Sequence, residues 1–289
     1  IPFSGSGTEA SVSALTRDDL IAFQRDFLRP DNATIIATGA VTPATILPLL
    51  ERHFGDWQPP AGTSPPRTAI AAATGSSGTR VYLLDRPGAP QTSILAGQLM
   101  PSSLAPDRIE LNTANDVLGG TFTSRINMNL REDKHWSYGA RSSLTETRGQ
   151  RPWLLSAPVQ TDKTVESIQE IRRELAEFLA TRPITADEVD KIRSRDVRAL
   201  SGQYETNAAV SGAIGDIVRF GRPDDYVRTL RARRQAQTDA GVRQAAAQAF
   251  RPDALTWVIV GDLSKIEAPI RELGLGSVQV LDADGNVLR

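Results

Sequence analysis

Arg131 and Tyr138 are the residues of this chain best placed, by type and spacing, to do chemistry. They stand seven residues apart in the stretch LGGTFTSRINMNLREDKHWSYGARSS (118–143), across an expected helix end and downstream of Gly119-Gly120. A guanidinium offers a rigid fork of N–H donors and a phenol offers one O–H. Donors of these two kinds can hold a carbonyl oxygen and offset charge developing on it. The same residues also have a plainer reading, in which Arg131 pairs with Glu132 or Asp133 and Tyr138 simply begins a strand.

Other candidates carry less. The two histidines, His53 and His135, stand alone, and there are no cysteines. Zinc needs about three protein ligands, so no self-contained metal site is expected. His53 lies at a helix end before Gly55, where a cation suits the dipole, and His135 lies in a charged turn; both read as solvated. Without cysteine there is no disulfide, thiolate zinc site or cysteine nucleophile. Gly119-Gly120 reads as a backbone turn and not a phosphate loop, since no Gly-Lys-Ser/Thr follows. Arg125, one helical stretch upstream of Arg131, reads as helix-surface solvation sooner than as a second donor on the same surface.

These residues need elements to position them. Strand-like runs RVYLLDR and QTSILAGQL flank a turn at Pro87-Gly88. A helix opens near Pro106-Asp107 and ends at the glycine pair, and Thr123 is expected to cap the next, which runs to about Arg131. Tyr138 to Thr147 and Trp153 to Thr161 read as antiparallel strands. Val165, Ile168, Ile171, Leu175 and Phe178 fall on one stripe of a helix. Thr185 and Glu188 form a capping-box signature for another. Helices near 206–219, 223–236 and 239–249 follow. The fold class is therefore α+β, a mostly antiparallel sheet packed against helices.

The chain also repeats itself. LRPDNATIIATGAVTPATI (28–46) and FRPDALTWVIVGDLSKIEA (250–268) align with Pro30, Asp31, Thr34 and Gly39 opposite Pro252, Asp253, Thr256 and Gly261, at one constant offset. In each, a helix stops before Arg-Pro-Asp, a β-branched run makes a strand, and glycine turns into a further helix. Two homologous domains are expected, the first present only as its C-terminal part: residues 1–57, a linker over 58–79 rich in Pro, Gly, Ser and Thr, and a complete second domain over 80–289.

Composition bounds the rest. A chain of 289 residues with 40% hydrophobic and 23% charged residues is globular in type. A net charge of −1 gives no field to draw in nucleic acid or an anionic membrane, and the longest apolar runs are far too short to span a bilayer. The basic residues are almost all arginine, which points to a GC-rich bacterial source. A periplasmic location is expected, with the cytoplasm as the alternative.

The Gly-Gly to Tyr stretch, the preceding RPGAPQTSI and the later ETNAAVSGAIGDIVRFGRPDDYV resemble the C-terminal, non-catalytic half of insulinase/pitrilysin-type zinc peptidases. These are the inverzincins, related to mitochondrial processing peptidase. Residues 14–57 look like the end of that family's N-terminal half, and the repeat fits its two homologous halves. The family holds zinc through H-x-x-E-H on a helix plus a distant Glu, the inner Glu serving as general base. This sequence contains no H-x-x-E-H; in the family that motif lies well upstream of where this sequence begins. The resemblance implies that Arg131 and Tyr138 face the zinc across a closed chamber and hydrogen-bond the substrate backbone. It implies no catalytic residue, metal ligand or cofactor in this chain, with zinc in a catalytic half that is either part of the same protein or a partner subunit. Substrates would be unfolded peptides held partly by strand addition to a sheet edge. The alternative is a scaffold subunit of a larger assembly with the same fold. One departure stands out: where relatives commonly have Gly and an aliphatic or aromatic residue before the Tyr, this chain has His135, Trp136 and Ser137.

Overall fold

A computed structural model describes residues 6–62 and 71–289. The chain divides into two compact units, residues 1–70 with 204–216, and residues 71–203 with 217–289.

In the first unit, helices α1 (Glu9–Ser13), α2 (Arg17–Phe27) and α3 (Pro43–Phe54) each open on a capping box, from Thr8, Thr16 and Thr42. Pro43 fills the first turn of α3, where a missing N–H costs nothing. Arg29 closes the turn after α2 by donating to both carboxylate oxygens of Asp31, at 2.9 and 2.8 Å. None of the three helices buries a residue, although Leu20, Phe23, Phe27, Leu47 and Phe54 lie along them half-exposed or more. The strand expected after Arg29-Pro30-Asp31 is not formed. Residues 33–38 carry no strand assignment, in contrast to their counterpart at 256–261. The apolar pattern is there, but a strand exists only through the ladder of a neighbour, and no described residue offers one.

The second unit is built on one six-stranded sheet. Its strands are β1 (Arg80–Asp85), β2 (Gln91–Met100), β3 (Arg141–Leu144), β4 (Arg151–Gln160), β5 (Thr256–Gly261) and β6 (Ser277–Leu281), in the order β3-β4-β2-β5-β1-β6. The two runs either side of Pro87-Gly88 are not hairpin partners, because β5 lies between them, parallel to β1 and antiparallel to β2. Three of the five pairings are antiparallel, so the sheet is mixed.

Around it lie α4 (Arg108–Asn115), α5 (Arg125–Asn127), α6 (Thr164–Leu179), α7 (Ala186–Ala199), α9 (Tyr226–Gln235), α10 (Asp239–Ala249) and α11 (Leu263–Glu272), while α8 (Asn207–Phe220) belongs largely to the first unit. Alternation decides which face is covered. Ile94, Ala96, Trp153, Leu155, Ala157, Trp257 and Ile259 are buried in the core with Ile168, Ile171, Leu175 and Phe178 of α6 and Val242 and Ala246 of α10. The intervening Leu95, Leu99 and Leu154 stay half-exposed on the other face. Phe250 joins the layers, edge-on to Trp153 at 5.4 Å and to Phe178 at 6.0 Å. Burying such a side chain is worth about 1.5–3 kcal/mol, and the Trp153 indole is satisfied by the Asn115 Oδ1 it donates to at 2.9 Å. Among the described residues no helix is long and apolar enough to cross a membrane.

Candidate functional site

The sequence leading to Arg131 folds as two widened helical turns. Residues Asp116–Gly120 and Met128–Asp133 are π-helical, with the three-residue α5 just before the second. Such turns are rare and recur at functional sites. Both glycines of the first turn are needed for close approach. A Cβ on Gly119 would collide with the Ser142 hydroxyl of β3, and one on Gly120 with the Asp116 carboxylate. The helix after them starts at Ser124, one residue later than expected, and Thr123 instead accepts from Lys191 Nζ at 2.7 Å.

Asn127 ties the two parts of the site together. Its Nδ2 donates to the Phe122 carbonyl at 2.6 Å, and its Oδ1 accepts from the Ala140 N–H at 3.0 Å. Asn129 anchors the second π turn to α6 by donating to Glu170 (2.6 Å) and Glu174 (2.8 Å). Burial alone would raise Glu170, but hydrogen bonds from Arg173 and Asn129 outweigh it and leave the carboxyl below the ordinary glutamate range.

Beyond the π turn the chain reverses through His135, whose φ is +58°. It is the one non-glycine residue with positive φ among the described residues. The imidazole Nδ1 lies 3.0 Å from the Arg131 carbonyl, so the side chain caps the helix end it has just left. Trp136 and Ser137 then dock on β4. The Trp136 carbonyl accepts from Gln160 N at 3.0 Å, and Ser137 Oγ donates to the Pro158 carbonyl at 2.6 Å. The expectation that Tyr138 starts a strand is corrected here. Ser137 makes only an isolated bridge to Val159, and β3 begins at Arg141, because Gly139 N turns back to Ser137 Oγ at 3.1 Å.

Arg131 and Tyr138 line one open depression of about 440 Å³, with Glu132, His135, Trp136 and Gln160. Tyr138 is 84% exposed, and its hydroxyl has no partner among the described residues. Arg131 is less free. Its guanidinium lies 4.6 Å over the Phe122 ring, and its Nε is 3.3 Å from Glu132, the local pair that the plainer reading expects. Both partners of that pair are 39% exposed, so it is worth little and can be exchanged for a ligand. The arrangement presents two donors, the Arg131 guanidinium and the Tyr138 hydroxyl, to a common space.

Arg125 does not share it. The guanidinium is 9% exposed, donates to Glu188 Oε1 at 2.8 Å and caps the Pro183 carbonyl at 3.0 Å, so it is neither solvated nor a site residue. Asn127, Asn129, Phe122 and Gln160 were not singled out by sequence reasoning. The available signal was two asparagines inside an apolar helical stretch, which need a reason because their side chains compete with helical hydrogen bonding. Among the described residues no group of three or more His, Asp or Glu could hold a metal, so the residues present do not fit a zinc site.

Helices packed against a mixed six-stranded sheet define an α+β domain. The chain belongs to the peptidase M16 inactive domain family, whose model matches residues 14–195. It is 30% identical over 139 residues to an uncharacterized zinc protease of Mycobacterium leprae, an alignment covering 48% of this chain and 31% of that protein. Its fold matches the crystal structure of a peptidase M16 inactive domain from Pseudomonas fluorescens, with TM-score 0.77, 21% identity, and coverage of 90% of this chain and 60% of that one. A protease from Helicobacter pylori matches at TM-score 0.78 and 19% identity, over 88% of this chain and 61% of the other. The chain thus spans about a third of the curated relative and three-fifths of these solved structures.

Proposed function

We propose that this chain is the non-catalytic, substrate-binding half of a zinc metallopeptidase acting on unfolded peptides. Arg131 and Tyr138 would hold the substrate backbone, and zinc and the general base would come from a catalytic half, in the same protein or in a partner subunit. The observation that carries this reading is the depression shared by the two donors, one of which, the Tyr138 hydroxyl, is exposed and without a partner among the described residues. A scaffold gains nothing from an exposed phenol held on a loop that several hydrogen bonds fix to β4 and the helix end. Strand addition would use the β3 side of the sheet, because β6 already pairs with the C-terminal return at residues 287–289.

The same proposal makes residues 1–57 the C-terminal part of a first peptidase-like domain, joined to residues 80–289 by the linker over 58–79. Part of that linker (63–70) lies outside the described residues. The bare apolar faces of α1 to α3 support this, since amphipathic helices are stable mainly through the surface they pack against. A periplasmic location belongs to the proposal and is tested by cell fractionation.

The scaffold alternative draws support from the Arg131–Glu132 pair, which gives Arg131 a structural occupation. The two are separated by activity. The chain alone should bind no zinc and cleave no peptide, while adding a zinc-bearing half should give peptide hydrolysis that Arg131→Gln weakens, mainly in KM. Hydrolysis indifferent to Arg131→Gln, or a stoichiometric zinc in the isolated chain, would contradict the proposal.

A further inference from the structure

A second cluster of charges contains none of the residues that line that depression. Glu146, in the loop between β3 and β4, receives three arginines. Arg108 Nη1 lies 3.4 Å from both its oxygens, Arg151 Nη1 is 3.3 Å from Oε1, and Arg222 Nη2 is 3.0 Å from Oε2. The arginine side chains are recessed, 15%, 0% and 11% exposed, while Glu146 is 36% exposed at the mouth.

Three guanidiniums against one carboxylate leave a surplus of two positive charges in a poorly hydrated place. Among the described residues no second carboxylate forms an ion pair with these three arginines, and Asp107 attracts Arg151 only at longer range. Arg151 spends Nε on the Pro101 carbonyl and shares Nη1 between Asn112 and Glu146, leaving a buried Nη2 with no partner. Arg108 gives its other nitrogen to the Tyr226 hydroxyl. The Tyr226 ring already receives the faces of Arg222 at 4.6 Å and Arg233 at 5.2 Å, and Arg233 has no carboxylate partner among the described residues. Burial, largest of the causes, pushes both Arg108 and Arg151 below the ordinary arginine range, and the neighbouring arginines push the same way. Unmatched buried charge is costly, and a fold that needed only packing here would do better with apolar side chains.

We propose that this cluster is a binding site for a phosphate-class oxyanion, held by Arg108, Arg222 and Arg233 beside the Glu146 carboxylate. With Arg233 the surplus is three, and a dianion offsets most of it, which a single carboxylate does not. Planar guanidinium forks suit its oxygens bidentately, and the ring of Tyr226 fixes two of the forks from behind. Free phosphate and a phosphate monoester share this chemistry.

The test is calorimetric titration of the full chain with inorganic phosphate and, separately, with phosphoserine, at ionic strength held constant with sodium chloride. Saturable binding of at least one of them is expected, the tighter of the two naming the source, with sodium acetate giving none. Arg222→Gln should weaken it about tenfold or more, the usual scale for losing a charge-assisted bond. Glu146→Gln should tighten it, because the competing carboxylate is gone, whereas a purely structural ion-pair cluster would gain no anion affinity from that change. If Arg222→Gln does not fold, rim variant Arg233→Gln should fold and bind several-fold more weakly. Absence of saturable binding, equal response to acetate, or a Glu146→Gln variant that binds no tighter would overturn the proposal.

Discussion

Replacing His135 tests whether the turn that sets Arg131 against Tyr138 is under strain. At φ +58° an L-residue brings its Cβ close to the following carbonyl oxygen, at about 1–2 kcal/mol. Glycine avoids that contact but loses about 0.5–1 kcal/mol to the greater freedom of its unfolded chain. The exposed bond from His135 Nδ1 to the Arg131 carbonyl is worth at most about 0.5 kcal/mol net. His135→Gly should therefore be neutral to slightly stabilising. The cleaner comparison is His135→Gly against His135→Ala, since both lose the same hydrogen bond and only alanine keeps the strain. Glycine should be more stable by about 1 kcal/mol, which for a unit of this size is roughly 2–4 °C in melting temperature. Melting followed by the fluorescence of Trp153 and Trp257, both buried in the sheet core, reads the second unit directly. An alanine variant as stable as the glycine one would refute the argument, and with it the view that this turn is held in place by its surroundings.

Gly119→Ala should destabilise the second unit by about 1–3 kcal/mol, because its Cβ meets the Ser142 hydroxyl and the β3 backbone, and overpacking of this kind has no flexible neighbour to absorb it; an unshifted denaturation midpoint would contradict it. Glu188→Gln should cost roughly 2–3 kcal/mol at neutral pH by leaving the buried Arg125 without its carboxylate. Burial raises Glu188, but hydrogen bonds from Arg125 and Thr185 outweigh it and hold the carboxyl below the usual glutamate range. Its contribution is therefore complete above the unfolded-state pKa near about 4.3 and is lost as pH falls through the lower folded value. The stability gap between wild type and variant should be constant at neutral pH and close in acid; a gap that widened in acid would reverse the sign.

Sequence periodicity made the second unit largely legible. The α6 stripe and the Thr185–Glu188 capping box stand where spacing puts them, because both signals are local. Pairing was less visible. Nothing near Pro87-Gly88 reveals that β5, far along the chain, separates β1 from β2. Residues 33–38 have a strand's composition and no strand, since composition cannot supply a ladder partner. At the site, the family resemblance pointed to Arg131 and Tyr138, but the strand expected at Tyr138 begins three residues later at Arg141. The reason is Ser137, whose hydroxyl both caps Pro158 and receives Gly139, a side-chain bond no periodicity encodes. Arg125 was misplaced for a similar cause: its partner Glu188 lies on α7, far away in sequence, and surface solvation is the default for an arginine only until such a partner is found.

The central claim is that Tyr138 contacts substrate. In the complex formed with its zinc-bearing half, Tyr138→Phe removes only a hydroxyl that is exposed and has no partner among the described residues, so folding should not change. If that hydroxyl holds the scissile carbonyl most strongly in the transition state, its loss should cost about 2.7–4 kcal/mol, a fall in kcat of roughly 10²–10³. The measurement is steady-state hydrolysis of an unfolded peptide by wild-type and Tyr138→Phe complexes of equal melting temperature. A drop of that size in kcat is the predicted result, and unchanged turnover would contradict the account.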